Sequence, residues 1–176
     1  MHQLKIGNYN FYVSNKLLNL VENKFEEYIK KIETIFGFQL KTKNIFILNN
    51  FLSHCKYPII YFNPQINSNS YNNNYLFENS NQDIIPEKVL LHEMIHLYQS
   101  QKISLNNFII EGMTEFVAIL LFDEKYKLNL FDKLQKKINP SLAIKYVKSY
   151  NYYSIPYYFE LNRYAEYNYG AIYFYN

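Results

Sequence analysis

The sequence predicts an α+β fold, with a small twisted sheet drawn from its first third, packed on a helix near residue 90, and a mostly helical second half. Three observations point there. Short β-branched and aromatic runs crowd residues 4–62. Apolar residues recur at helical spacing from Leu17 to Phe36, and again from about residue 86 to Phe122. The length, 176 residues, suits a single domain spanning 1–176 with a substantial core.

Taken in order, residues 4–13 read as one strand or a tight hairpin, with Phe11 and Val13 on one face and Gly7-Asn8 as the turn. Ser14 suits an N-cap, because its hydroxyl can accept a bond from an unpaired helical N–H. Leu17, Leu18, Val21, Phe25, Tyr28, Ile29, Ile32 and Phe36 then trace one helix face, and Gly37 suits the helix end. Asn44-Ile45-Phe46-Ile47-Leu48 reads as a buried strand. Tyr57 to Phe62 is a second strand, and Pro58 favours an edge position or a strand start because it lacks an N–H.

Residues 63–74, rich in Asn and Ser, read as a surface loop, with Tyr75-Leu76-Phe77 a short strand after it. Asp83 to Pro86 signals a helix start, and that helix runs to about Gln101. A second apolar helix spans Asn107 to Phe122, and lysine-rich helical stretches occupy roughly 123–148. No internal repeat or domain boundary is visible.

Composition narrows the function. A net charge of +3 without a concentrated basic stripe argues against nucleic acid as a partner. The one cysteine, Cys55, excludes an intrachain disulfide and a multi-cysteine zinc site. No window of about 18 apolar residues marks a membrane span. The first residues lack the apolar core of a signal peptide, so the expected location is cytoplasmic, with export by another route left open. The 20 Tyr and 24 Asn are what AT-rich codon usage produces, which makes the ten tyrosines in the last 27 residues weak evidence of function.

The chemistry lies in His92-Glu93-Met94-Ile95-His96, which has the form H-E-x-x-H inside an apolar run. On a helix the two histidines stand one turn apart and point the same way. Two imidazoles so placed can grip one Zn²⁺, and Glu93 between them can accept a proton from a water on the metal. A catalytic zinc needs a further protein ligand. Of the four histidines, His2 and His54 lie upstream and none follows His96. His54 reads as structural or exposed. A third histidine on the C-terminal side is therefore excluded and a carboxylate is to be considered; Glu111 and Glu115 share a face at the start of the next predicted helix. Gly112, with no side chain, would let those two helices approach closely.

H-E-x-x-H followed by Glu111-Gly112 resembles the gluzincin zinc metallopeptidases, and most resembles their M1-like small zincin branch. The resemblance implies a zincin-like metallopeptidase fold with one Zn²⁺ per chain, bound by His92, His96 and Glu111. It implies Glu115 as the acidic residue that supports a ligand histidine. Glu115 also remains the alternative third ligand, since only fourteen residues separate His96 from Glu111. Tyr167-Asn168-Tyr169-Gly170-Ala171 is similar to the family's Tyr-x-x-Gly-Ala, which implies Tyr167 as the catalytic tyrosine, with Tyr169 its nearest rival.

The expected function is hydrolysis of a peptide bond in a peptide or protein substrate, with Glu93 as general base and Tyr167 as donor to the oxyanion. Two alternatives stand beside it. Leu90 to His96 also resembles the helix of SprT-like proteases of DNA-associated proteins, but those use a third histidine further along. The other alternative is a metal-stabilised, non-catalytic binding domain derived from a peptidase. The sequence does not set the oligomeric state or the choice between endo- and exopeptidase.

Overall fold

The hairpin at the N-terminus forms because Gly7 takes a left-handed backbone, φ 57°, that a residue with a Cβ adopts at a cost. It joins strand β1 (His2–Ile6) to β2 (Tyr9–Val13), paired antiparallel. The computed structural model of the chain describes residues 1–22, 25–63, 86–101, 107–137, 141 and 170–175. Strand β2 alternates: Tyr9, Phe11 and Val13 are buried, while Asn10 and Tyr12 are half-buried. That period of two puts one face of the strand in the core.

The helical pattern from Ser14 to Phe36 divides in a way that its spacing did not predict. Asn15–Leu17 is a 3-10 turn, α1 is Leu18–Val21 and α2 is Phe25–Phe36. Glu22 takes an extended conformation, ψ 132°, and closes α1. Leu17 and Val21 are buried before the break, and Phe25, Tyr28, Ile29 and Ile32 after it. A break at an exposed residue leaves the apolar pattern intact, so periodicity cannot register it. Ser14 stands at the N-cap position, yet its side chain caps nothing. Its Oγ accepts the N–H of Asn49, 3.2 Å away, tying the start of the turn to the sheet.

The sheet continues through β3 (Asn44–Asn49), β4 (His54–Lys56) and β5 (Ile59–Phe62). Its order is β1-β2-β3-β5-β4. The three central strands run parallel, and β1 and β4 are antiparallel edges. Parallel β2 and β3 need a crossover, which the helical segment between them supplies. Of the two places expected for Pro58 it takes the strand start: it immediately precedes β5, an inner strand, in the turn after β4. There its missing N–H costs no ladder bond, and the edge position belongs to β4, a strand the sequence did not announce. His54 is exposed on β4 and stacks on Tyr61, ring centroids 4.6 Å apart.

Helix α3 (Pro86–Gln99) opens on its proline, whose absent N–H is one of the unpaired donors of any helix start. It ends two residues before the expected Gln101. It packs on β4, β5 and α2, and it is buried almost all round: Leu90, Leu91, Met94, Ile95, Leu97 and Tyr98 are each at most 1% exposed. Burying one such side chain contributes roughly 1.5–3 kcal/mol. Polar contacts fix both ends of the helix to α2 and its neighbourhood. The Tyr28 hydroxyl donates to Glu87 Oε1 at 3.1 Å. Tyr98 stacks on Phe36, centroids 6.0 Å apart. Beside it the Tyr9 hydroxyl donates to Glu33 Oε1 at 2.5 Å and accepts the Leu40 N–H at 2.9 Å. Burial, and then the bond to Glu33, push the Tyr9 hydroxyl pKa up to about 12.

The chain groups into two compact units, the sheet with α1–α3 forming the first. In the second, α4 (Asn107–Tyr126) runs four residues beyond the expected Phe122, and α5 (Leu130–Lys137) follows. Asp123 makes the turn between them. Its Oδ2 accepts the N–H groups of Leu130 (2.6 Å) and Phe131 (3.2 Å), which caps α5. Residues 170–175 are helical, with Ala171 and Ile172 buried. Gly112 and Gly170 meet backbone to backbone: a Cβ on Gly112 would lie 2.5 Å from the Gly170 Cα. Within this unit, the close approach that Gly112 permits is to Gly170. The Asn-rich loop from 64, the strand at 75–77, Asp83, and the lysine-rich residues 142–148 lie outside the described residues. No described helix is long and apolar enough to cross a membrane.

Candidate metal centre

The H-E-x-x-H segment is helical, as its apolar setting predicted, and lies in the middle of α3. The one-turn spacing brings the two imidazoles together: Nε2 of His92 and Nε2 of His96 are 3.1 Å apart, with the rings at 76°. Two nitrogens bound to one zinc at about 2.05 Å and a tetrahedral angle stand about 3.3 Å apart. The observed separation therefore fits two ligands of one ion with an angle near ~100° between them. His92 is buried and His96 is half-buried.

Among the described residues, one group of three offers ligand atoms to a common point: His92, His96 and Glu111, with those atoms all within 4.8 Å of one another. Glu111 is the fifth residue of α4 and is half-buried. Two imidazole nitrogens and one carboxylate oxygen suit zinc, a borderline cation that takes nitrogen and oxygen alike. The residues fit the ion.

Glu93 is buried, 8% exposed, on the same helix. Its charge is felt across the packed surface by Cys55 on β4. Burial first, and then the Glu93 carboxylate, push the Cys55 thiol pKa up to about 12. Cys55 is not in the group of three. Glu115 lies one turn beyond Glu111 on α4 and is buried; its carboxylate is not in that group. Tyr167 and Tyr169 lie outside the described residues.

One polar residue escaped the sequence reading. Gln99, the last residue of α3, is 2% exposed, and its Oε1 lies 2.9 Å from Nδ1 of His96. An amide oxygen can only accept, so in this contact the imidazole nitrogen would be the donor. The available signal was its spacing: Gln99 is three residues after His96, hence on the same helical face. No family model, curated protein or solved structure matches this chain.

Proposed function

We propose that this protein is a zinc-dependent peptidase of the gluzincin type, on a zincin-like fold. The observation that carries the reading is the convergence of His92, His96 and Glu111 ligand atoms within 4.8 Å, with Glu93 intact between the two histidines. The α+β architecture, with a mixed sheet packed on the H-E-x-x-H helix, supports it.

When bound, zinc supplies Lewis acidity, which lowers the pKa of a coordinated water and polarises a carbonyl. The chain's own residues do the rest. His92, His96 and Glu111 would hold the ion. Glu93 sits beside two of those ligands without the spacing to be one, so its carboxylate would serve as the general base, accepting a proton from water and passing it to the leaving amine. Burial raises the worth of that transfer, because few waters compete for the carboxylate. Tyr167 donates its hydroxyl hydrogen to the developing oxyanion, a role that rests on the Tyr-x-x-Gly-Ala resemblance. Glu115 supports the ligand set from one turn along α4.

The test is direct. Purified protein is expected to hold one zinc per chain and to cleave casein or a quenched peptide. A chelator abolishes cleavage, and Glu93→Gln keeps the zinc while losing turnover. Zinc binding with no hydrolysis of any peptide in a broad panel, by wild type and Glu93→Gln alike, would point instead to the metal-stabilised binding domain. Absence of stoichiometric zinc refutes both.

A further inference from the structure

From the Gln99–His96 contact we infer that Gln99 is a positioning residue that selects the metal-ready form of His96. The inference rests on the zinc reading above and assigns a role to a residue that reading does not use. A neutral imidazole carries its one hydrogen on either Nδ1 or Nε2, and only the bare nitrogen can bind a metal. His96 presents Nε2 to His92 Nε2 at 3.1 Å. That nitrogen is the one that must be bare. Gln99 decides the matter from the other side of the ring: its Oε1, 2.9 Å from Nδ1, accepts a hydrogen there and has none to give. With Nδ1 protonated, the Nε2 lone pair is directed to the point the two histidines share.

Three features make this more than a surface contact. Gln99 is 2% exposed, so water does not readily replace its amide. It shares α3 with both histidines, at i+3 from His96, so the bond is set by the helix itself and forms with the fold. Its neighbours in the helix, Leu97 and Tyr98, are fully buried, which fixes the last turn against fraying. An amide acceptor also differs in kind from a carboxylate. It fixes the tautomer without adding negative charge, so the ligand stays less electron-rich than one backed by an acid.

The experiment is long-range ¹H–¹⁵N spectroscopy of histidine-labelled, metal-free protein in alkaline buffer, which reports the tautomer of each ring, followed by zinc titration against a competing chelator. Wild type is expected to show His96 with its hydrogen on Nδ1. Gln99→Leu is expected to move that hydrogen to Nε2 and to weaken zinc binding about 10–100-fold, the usual effect of losing such a partner. Gln99→Glu, which can still accept, is expected to restore the Nδ1–H form and the affinity. A wild-type His96 with its hydrogen on Nε2 overturns the inference even if no variant folds. So does a folded Gln99→Leu protein with unchanged tautomer and unchanged affinity, which would make Gln99 a packing residue. The zinc reading is judged separately: wild type that shows the Nδ1–H form but takes up no zinc refutes that reading and leaves the tautomer assignment standing.

Discussion

Replacing Gly112 or Gly170 by alanine should destabilise the protein by about 2 kcal/mol or more, although alanine is the better helix former. A Cβ on Gly112 would meet the Gly170 Cα at 2.5 Å and its carbonyl carbon at 2.9 Å; a Cβ on Gly170 would meet the Gly112 Cα at 2.4 Å. Carbon atoms pack best at about 3.5–4.0 Å, so the two backbones must part by about 1 Å or more. Overpacking typically costs about 1–3 kcal/mol. Here the obstacle is main chain and cannot rotate away, which puts the cost near the top of that range. Exchange of glycine for alanine inside a helix returns roughly 1 kcal/mol, a gain available to Gly112 in the body of α4 more than to Gly170 at a helix start. Once one methyl has opened the gap, a second adds little, so the double variant should fall short of the sum. Urea unfolding with free energies extrapolated to water measures all three proteins. A Gly112→Ala protein as stable as wild type would show that the two backbones do not touch. Gly7 and Gly37 provide the contrast. Nothing lies within 4 Å of a Cβ at either, and any cost there comes from φ of +57° and +70°; strain of about 1–2 kcal/mol is expected at each, with no coupling between them.

Further outcomes are expected at the site. Glu93→Gln should retain zinc, measured by metal analysis, while turnover falls about 10²–10⁴-fold; full activity would remove Glu93 from the mechanism. Glu111→Ala should weaken zinc binding far more than Glu115→Ala, and equal metal content in Glu111→Ala and wild type would sink the third-ligand assignment. Cys55 should alkylate slowly in metal-free protein at pH 8. A pKa near 12 rather than 9.0 leaves about 10³-fold less thiolate, partly offset by its greater intrinsic nucleophilicity. Glu93→Gln should speed that reaction by removing a negative charge, and an unchanged rate would separate the two side chains. On alkaline titration the Tyr9 pKa is raised on folding, so the unfolded chain loses its proton first and stability falls as pH climbs from about 10 through about 12. Tyr9→Phe should flatten that limb of the pH profile.

Much of this was legible in the chain because it depended on local pattern. Alternation around Phe11 and Val13, the Gly7-Asn8 turn and the apolar frame of H-E-x-x-H each involve a few neighbouring residues, and each matches the structure. The features that escaped are decided elsewhere in the chain. Strand β4 has three residues and exists because Cys55 pairs with Ile60 across a turn. Glu22 ends a helix without disturbing its apolar face. Gly112 reads as a place for close approach, but what approaches is 58 positions away, at Gly170. Gln99 looks like any polar residue at a helix end until its burial is known.

The near-complete burial of α3 has an entropic consequence. A flexible pair of histidines loses rotamer freedom when it takes up an ion, at a cost of order 1 kcal/mol for each side chain immobilised. Here His92 is buried in a packed helix and His96 is tethered to Gln99, so much of that freedom is already gone once the chain has folded. Ion capture by these two rings should therefore be quick and nearly free of rearrangement, and the ordering that remains falls to the carboxylate that joins them.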